Sequence, residues 1–390
     1  MPLRPHQIDA LDAMANHTKG QVIVPTGGGK TMCMIDDAKR FFKEQEVATI
    51  VVVAPRILLA EQLSSEFLEV LDDVSVMHVH SGETSHYSST KASDIYWWDE
   101  RTGGNKIIFT TYHSLHRIRN SNIAVETIYF DEAHNSVNRN FYPAVEYYAT
   151  MGSDRCYFFT ATPKHSTTPF KAGMNWGEVY GNILINVPAP KLVDQGYILP
   201  PKVHVYKSRL LKKNQIHPHL ESRQMIDAID KLEVDKVLIC AKSTKQITGL
   251  LYGSKFQHQL RDRGYSWMTI TSKTGAIIDG EKVGRDKFFE VLNAWGKDDE
   301  KKFVVLHHSI LAEGINVKGL EAALFMRNMD YITISQTIGR VIRLGNVNKT
   351  HGKVCVPVYN NVGISTARRV EAVVDTVFNQ GQPAISTITR

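Results

Sequence analysis

Val24-Pro25-Thr26-Gly27-Gly28-Gly29-Lys30-Thr31 lies between a short apolar run, residues 21–24, and a stretch, residues 31–42, in which Met34, Ile35, Ala38, Phe41 and Phe42 recur with helical period. A strand, a glycine-rich turn and a helix start are thereby written into consecutive residues. Glycines let backbone N–H groups turn inward, and the first turn of the helix adds partial positive charge, so the segment suits a phosphate. Thr26, Gly27, Gly28 and Gly29 form the cradle. Lys30 is placed to reach the β- and γ-phosphates, and the Thr31 hydroxyl to ligate Mg2+. ATP and Mg2+ are the cofactors this pattern calls for. It departs from the strict loop pattern at Val24, where a glycine is usual.

Further apolar runs follow at residues 49–54, 74–79, 106–110, 127–130 and 156–160. They are continuous rather than alternating, as parallel strands covered on both faces require. Asp131-Glu132-Ala133-His134 begins where the 127–130 run ends, and catalytic carboxylates belong at such strand ends. Asp131 is a candidate Mg2+ ligand, and Glu132 a candidate base for an attacking water. Thr160-Ala161-Thr162-Pro163 closes the next run with two hydroxyls, a weak signal taken alone. Residues 164–201 are looser and end in Leu199-Pro200-Pro201, where helix cannot continue. A second series of runs occupies residues 237–240, 268–271, 303–306, 322–325 and 354–358, with a helix expected at residues 365–378. The expectation is an α/β chain of two tandem parallel-sheet domains, residues 1–200 and 201–390.

The 390 residues carry a net charge of +6, a mild bias toward an anionic partner. Cys33, Cys156, Cys240 and Cys355 form no CxxC pair, and the 16 histidines form no HExxH. Zinc and iron–sulfur sites are therefore not expected, and a reducing, cytoplasmic setting is. No apolar run is long enough to span a bilayer, and the first residues lack the plan of a signal peptide.

In this order the residues resemble the superfamily 2 helicases of the DEAH-type group. Leu3-Arg4-Pro5-His6-Gln7 is similar to the adenine-reading motif, PTGGGKT to motif I, APRILLAEQ (54–62) to motif Ia and TTYHSL (110–115) to motif Ib. DEAH is similar to motif II, TATP to motif III, LICAKS (238–243) to motif IV, AEGINVKGL (312–320) to motif V and QTIGRVIR (336–343) to motif VI. The layout looks nearest to phage recombination helicases of UvsW type and related repair and restriction motors, through the LVDQGYILPP and QTIGR segments.

The resemblance implies two RecA-like domains with an ATP cleft between them. Arg4 and Gln7 would read the adenine, and Gly314 and Asn316 of motif V would touch the nucleotide. Asn316 stands where an acid is common. Gln336, Arg340 and Arg343 would serve catalysis from the second domain, the i, i+3 spacing of the two arginines placing both on one helical face. Arg56, Thr111, Tyr112 and Ser114 in the first domain, and Ser243, Lys245, Ser272, Lys273 and Lys318 in the second, are the candidate nucleic-acid contacts. The implied activity is an ATP-dependent helicase or translocase, with DNA favoured over RNA. An RNA helicase, and a motor subunit or nucleotide-gated binding module working through partner proteins, are the alternatives, and a monomer is not distinguished from an oligomer. The first motif begins almost at Met1, so a bare motor core is expected, with partner proteins supplying accessory domains.

Two segments keep two readings. The basic stretch 202–213 extends a nucleic-acid track or forms a solvated strand. Tyr96-Trp97-Trp98 either stacks on bases or pins a loop through two buried tryptophans, and the pinned loop is favoured.

Overall fold

The computed structural model describes residues 2–207, 218–271, 273–308, 319–345, 349–358 and 361–388. The chain divides into two compact units, one of residues 1–188 with 383–390 and one of residues 189–382. The sequence predicts a boundary at residue 200. Residues 189–200 instead belong with the second unit, where the Leu199 amide donates to the Ile342 carbonyl at 2.7 Å and the Gly352 amide to the Pro200 carbonyl at 3.0 Å. The proline pair marks the start of a strand rather than the end of a domain.

In the first unit the strands are β1 (Lys19–Ile23), β2 (Thr49–Ala54), β3 (Ser75–Val79), β4 (Tyr87–Ser88), β5 (Lys106–Thr111), β6 (Thr127–Phe130), β7 (Arg155–Thr160), β8 (Lys164–Ser166) and β9 (Asn182–Asn186). The helices are α1 (Pro5–Ala15), α2 (Lys30–Glu44), α3 (Ile57–Leu68), α4 (Ala92–Arg101), α5 (Leu115–Ser121), α6 (Tyr142–Tyr147) and α7 (Gly177–Tyr180). Eight strands form one sheet in the order β4-β3-β5-β2-β6-β7-β1-β9, parallel throughout. Every residue of β2, β5 and β6 is buried. That is why these runs carry no polar alternation. Because β7 lies between β6 and β1, the turns after these three strands emerge side by side at the carboxyl edge of the sheet.

The second unit contains β10 (Pro201–Lys207), β11 (Lys236–Cys240), β12 (Ser266–Thr271), β13 (Gly275–Ile278), β14 (Glu281–Val283), β15 (Phe303–His307), β16 (Ala322–Phe325) and β17 (Gly352–Val358). Its helices are α8 (Ala189–Asp194), α9 (Pro218–Leu232), α10 (Thr244–Tyr252), α11 (Phe256–Arg261), α12 (Arg285–Lys297), α13 (Tyr331–Val341) and α14 (Asn361–Val373). The sheet order is β10-β17-β16-β11-β15-β12-β13-β14, with an antiparallel meander only at β12-β13-β14. The last strand, β18 (Ser386–Ile388), pairs in parallel with β8 and returns the C-terminal segment to the first unit. Both units are thus α/β with a largely parallel eight-stranded sheet, the RecA-like plan.

The Tyr96-Trp97-Trp98 segment is helical, in α4, and not a loop. A helix splits the aromatic run between faces. Ile95 is buried and Trp98 packs on the core, whereas Trp97 is 53% exposed. Only one tryptophan is a pin. Among the described residues no helix is long and apolar enough to cross a membrane.

Candidate nucleotide and nucleic-acid sites

The turn after β1 takes its shape from two glycines and from the N-terminal helix. Gly27 and Gly29 have φ of +87° and +85°, a region costly for any residue with a Cβ. Gly29 is also the N-cap of α2, and a Cβ there would collide with the Gln7 amide. Three side chains from residues 4–7 bind the loop from outside. Arg4 Nη1 donates to the Gly27 carbonyl at 3.2 Å, His6 Nε2 lies 2.7 Å from the Gly28 carbonyl, and Gln7 Nε2 donates to the Gly29 carbonyl at 3.0 Å. Gln7 Oε1 accepts from the Arg4 amide at 2.8 Å. Carbonyls are thereby engaged on one side, while Lys30 and Thr31 open the helix on the other.

Gln7 is 3% exposed. In this structure it braces the glycine turn after β1, a role that the adenine-reading expectation did not contain. His6, fully buried, was missed as a loop contact. Its only signal was its place beside Gln7. The Thr26 hydroxyl is buried with no hydrogen-bond partner among the described residues, and Lys30 Nζ donates to the Val24 carbonyl at 3.4 Å. An orphaned hydroxyl, a glycine cradle and an ammonium group make a donor set that fits phosphate oxygens.

Asp131 follows β6, its amide donating to the Val53 carbonyl at 2.9 Å. Burial and the adjacent Glu132 charge push its pKa up to about 7, with Lys30 partly offsetting them. A crowded pair of buried carboxylates of this kind is suited to a divalent cation, whose charge would relieve both. Glu132 holds φ of +45°, a strained setting for a non-glycine residue. His134 Nδ1 lies 3.5 Å from Glu132 Oε2, 3.2 Å from Thr160 Oγ1 and 3.3 Å from Thr162 Oγ1. The two threonines after β7 therefore meet the histidine after β6, as the adjacency of those strands dictates.

Tyr112 is 1% exposed. Its ring stacks against Phe130 and against Phe141, and its hydroxyl donates to the Asp131 carbonyl at 2.9 Å. A direct nucleic-acid contact by Tyr112 is therefore corrected to a buried tie beneath the acidic pair. Thr111 and Ser114 are buried as well, whereas Arg56, the N-cap of α3, is exposed. The signal misread in Tyr112 was its position in a loop-like motif, which says nothing of side-chain direction.

In the second unit, Asp330 caps α13 by accepting from the Thr333 amide at 2.9 Å. Gln336 and Arg340 lie within this helix and are buried. The helix ends at Val341 with Ile342 as C-cap, so Arg343 lies beyond it. Ile342 keeps α-region backbone angles, so Arg343 follows Arg340 at i+3 just past the end of the helix. The Arg343 carbonyl accepts from Lys349 Nζ at 2.9 Å. Ser243 caps α10, its side chain accepting from the Gln246 amide at 3.2 Å, and Lys245 and Lys273 are exposed. Ser272, Gly314, Asn316 and Lys318 lie outside the described residues, as does the 208–213 part of the basic stretch.

Residues 1–165 match the family model of the type III restriction enzyme res subunit. No curated protein matches the chain. Among solved structures, an ATP-dependent type ISP restriction-modification enzyme LlaBIII bound to DNA superposes with a TM-score of 0.74 at 15% identity, over 100% of this chain and 31% of that one. A nuclease-deletion mutant of the type ISP enzyme LlaGI with a DNA substrate mimic gives 0.67 at 17% identity, over 99% of this chain and 30% of that one. A point mutant of S. cerevisiae Dbp5 bound to RNA and ADP BeF3 gives 0.61 at 13% identity, over 99% and 94%. The chain therefore spans about a third of the two restriction enzymes and nearly all of Dbp5. Taken with the sheet topology, these likenesses show a RecA-like α/β fold for this chain.

Proposed function

We propose that this chain is an ATP-driven nucleic-acid motor, a helicase or translocase acting on DNA. The observation that carries the proposal is the carboxyl edge of the first sheet, where the braced loop with Lys30, the Asp131-Glu132 pair and the Thr160–His134–Thr162 cluster emerge from neighbouring strands. Thr31 and Asp131 would hold Mg2+, and Mg2+-ATP would supply the transferable phosphoryl group. Lys30 and the loop amides bind and orient phosphate oxygens. Glu132 accepts a proton from the attacking water, and His134 links that carboxylate to the threonines after β7. Gln336, Arg340 and Arg343 are proposed to stabilise charge that develops on the phosphoryl oxygens.

DNA is favoured because the two restriction enzymes of similar fold are described with DNA. RNA is the second reading, supported by the likeness to Dbp5 bound to RNA along nearly its whole length. Kinship to the UvsW-type helicases rests on the 192–201 and 336–340 segments and is part of the same proposal, as are a cytoplasmic setting and partner proteins. Steady-state ATPase measured with no nucleic acid, single-stranded DNA, branched DNA and RNA decides among the tracks. Hydrolysis stimulated most by branched DNA is expected. Stimulation by RNA alone would assign the other track, and the absence of hydrolysis under all four conditions would overturn the proposal.

A further inference from the structure

Away from the nucleotide loop, one side chain of α3 and two from the end of β3 converge. Glu61 Oε1 lies 3.0 Å from His78 Nδ1 and 3.0 Å from His80 Nε2, and the two ring nitrogens are 3.0 Å apart. Among the described residues no other group of three His, Cys, Asp or Glu side chains converges in this way. Both imidazoles are fully buried as side chains, while Glu61 is 29% exposed and gives access to solvent. Between β3 and β6, which leads into Asp131, stand β5 and β2. At a spacing of ~4.8 Å per strand the two sites are roughly 14 Å apart.

We propose that Glu61, His78 and His80 form a binding site for a divalent first-row transition-metal ion. Three ligand atoms 3.0 Å apart can all lie about 2.1 Å from one ion on one side of their plane, subtending close to right angles there. That is one face of an octahedron, built from two imidazoles and one carboxylate, with the remaining positions open to water. Nitrogen ligands and a single carboxylate select such an ion over Mg2+ or Ca2+, which prefer oxygen.

The surroundings support the assignment and show what must change on binding. His78 Nε2 lies 3.0 Å from Ser64 Oγ, a partner that can accept its proton and so leave Nδ1 to the ion. Thr84 Oγ1 donates to the other Glu61 oxygen at 3.3 Å. The Gly82 amide donates to His80 Nδ1 at 3.2 Å, which puts the ring proton of His80 on Nε2 in the metal-free form. Binding therefore moves that proton to Nδ1 and turns the Gly82 amide away, at the cost of one hydrogen bond near the surface. The ion ties α3, whose N-cap is Arg56, to the turn at residues 80–84. Neither the CxxC nor the HExxH pattern could have indicated it, because its ligands come from two elements joined only by the fold.

The test uses untagged full-length chain, stripped with chelator and titrated with Co2+ in excess Mg2+ without nucleotide. Visible absorption and equilibrium dialysis report the binding. One equivalent per chain is expected in the wild type and in Asp131→Asn, with binding weaker by about a hundredfold in Glu61→Gln and in His80→Gln. The wild-type titration stands whether or not a variant folds, and absence of stoichiometric Co2+ binding there overturns the proposal. So does binding that persists in both folded Glu61→Gln and His80→Gln, or that disappears in Asp131→Asn.

Discussion

The Gln7 side chain donates to the Gly29 carbonyl at 3.0 Å, and Gly29 is the left-handed N-cap of the helix that begins with Lys30. A glutamine expected to face a base thus holds the glycine turn before Lys30. Gln7→Ala should weaken binding of ATP, GTP and tripolyphosphate alike, by roughly tenfold, the worth of about one charge-neutral hydrogen bond and its positioning. Calorimetric titration with the three ligands checks this. Weakening confined to ATP would show that the amide reads adenine instead.

Gly29→Ala combines a φ of +85° with a clash against Gln7. We expect loss of nucleotide binding and destabilisation by about 1–2 kcal/mol, the cost of a left-handed residue with a Cβ. Urea unfolding beside a nucleotide-binding titration measures both. Wild-type values would mean that the loop does not need this geometry.

The residues proposed for hydrolysis separate by what they lose. Lys30→Ala should bind ATP poorly, whereas Glu132→Gln should bind it and fail to turn it over. Arg340→Ala or Arg343→Ala should retain binding and lower kcat by about 10³-fold. Arg343→Lys should not restore the rate, because an ammonium lacks the planar fork. Multiple-turnover assays with parallel binding measurements test each variant, and a near-wild-type rate in any one removes that residue from the machinery.

Tyr112→Phe removes a buried hydroxyl that donates to the Asp131 carbonyl. Stability should fall by about 1 kcal/mol, with nucleic-acid affinity unchanged. A lowered affinity at unchanged stability would return Tyr112 to the track. In contrast, Arg56→Ala should weaken single-strand binding and reduce its salt dependence by about one counterion.

The two tryptophans of α4 should behave oppositely. Trp98 packs on the core, so Trp98→Ala should cost about 2 kcal/mol or more. Trp97 is exposed, with the Arg101 guanidinium 5.3 Å from its ring centroid. Trp97→Ala should leave the melting temperature in place and reduce binding of a forked DNA, as loss of one stacked base would. An unchanged fork affinity would make Trp97 an ordinary surface residue.

Much of this was legible in the residues themselves. Continuous apolar runs announced the parallel strands, because a strand covered on both faces has no polar side to alternate with. The glycine turn before Lys30 and the acids after Phe130 were local signals, each set by a strand end and a few neighbours. What needed the tertiary structure was direction and company. Tyr112 lies inward, packed against Phe130 and Phe141, and Arg343 falls just past the end of its helix at Val341. Trp97 and Trp98 part because a helix turns about 100° per residue. The convergence of Glu61 with His78 and His80 has no sequence period at all, since helix α3 and strand β3 meet only through packing. Sequence sets what each element is, by propensity and burial. Which side chains then share a few ångströms is decided by how the sheet is ordered.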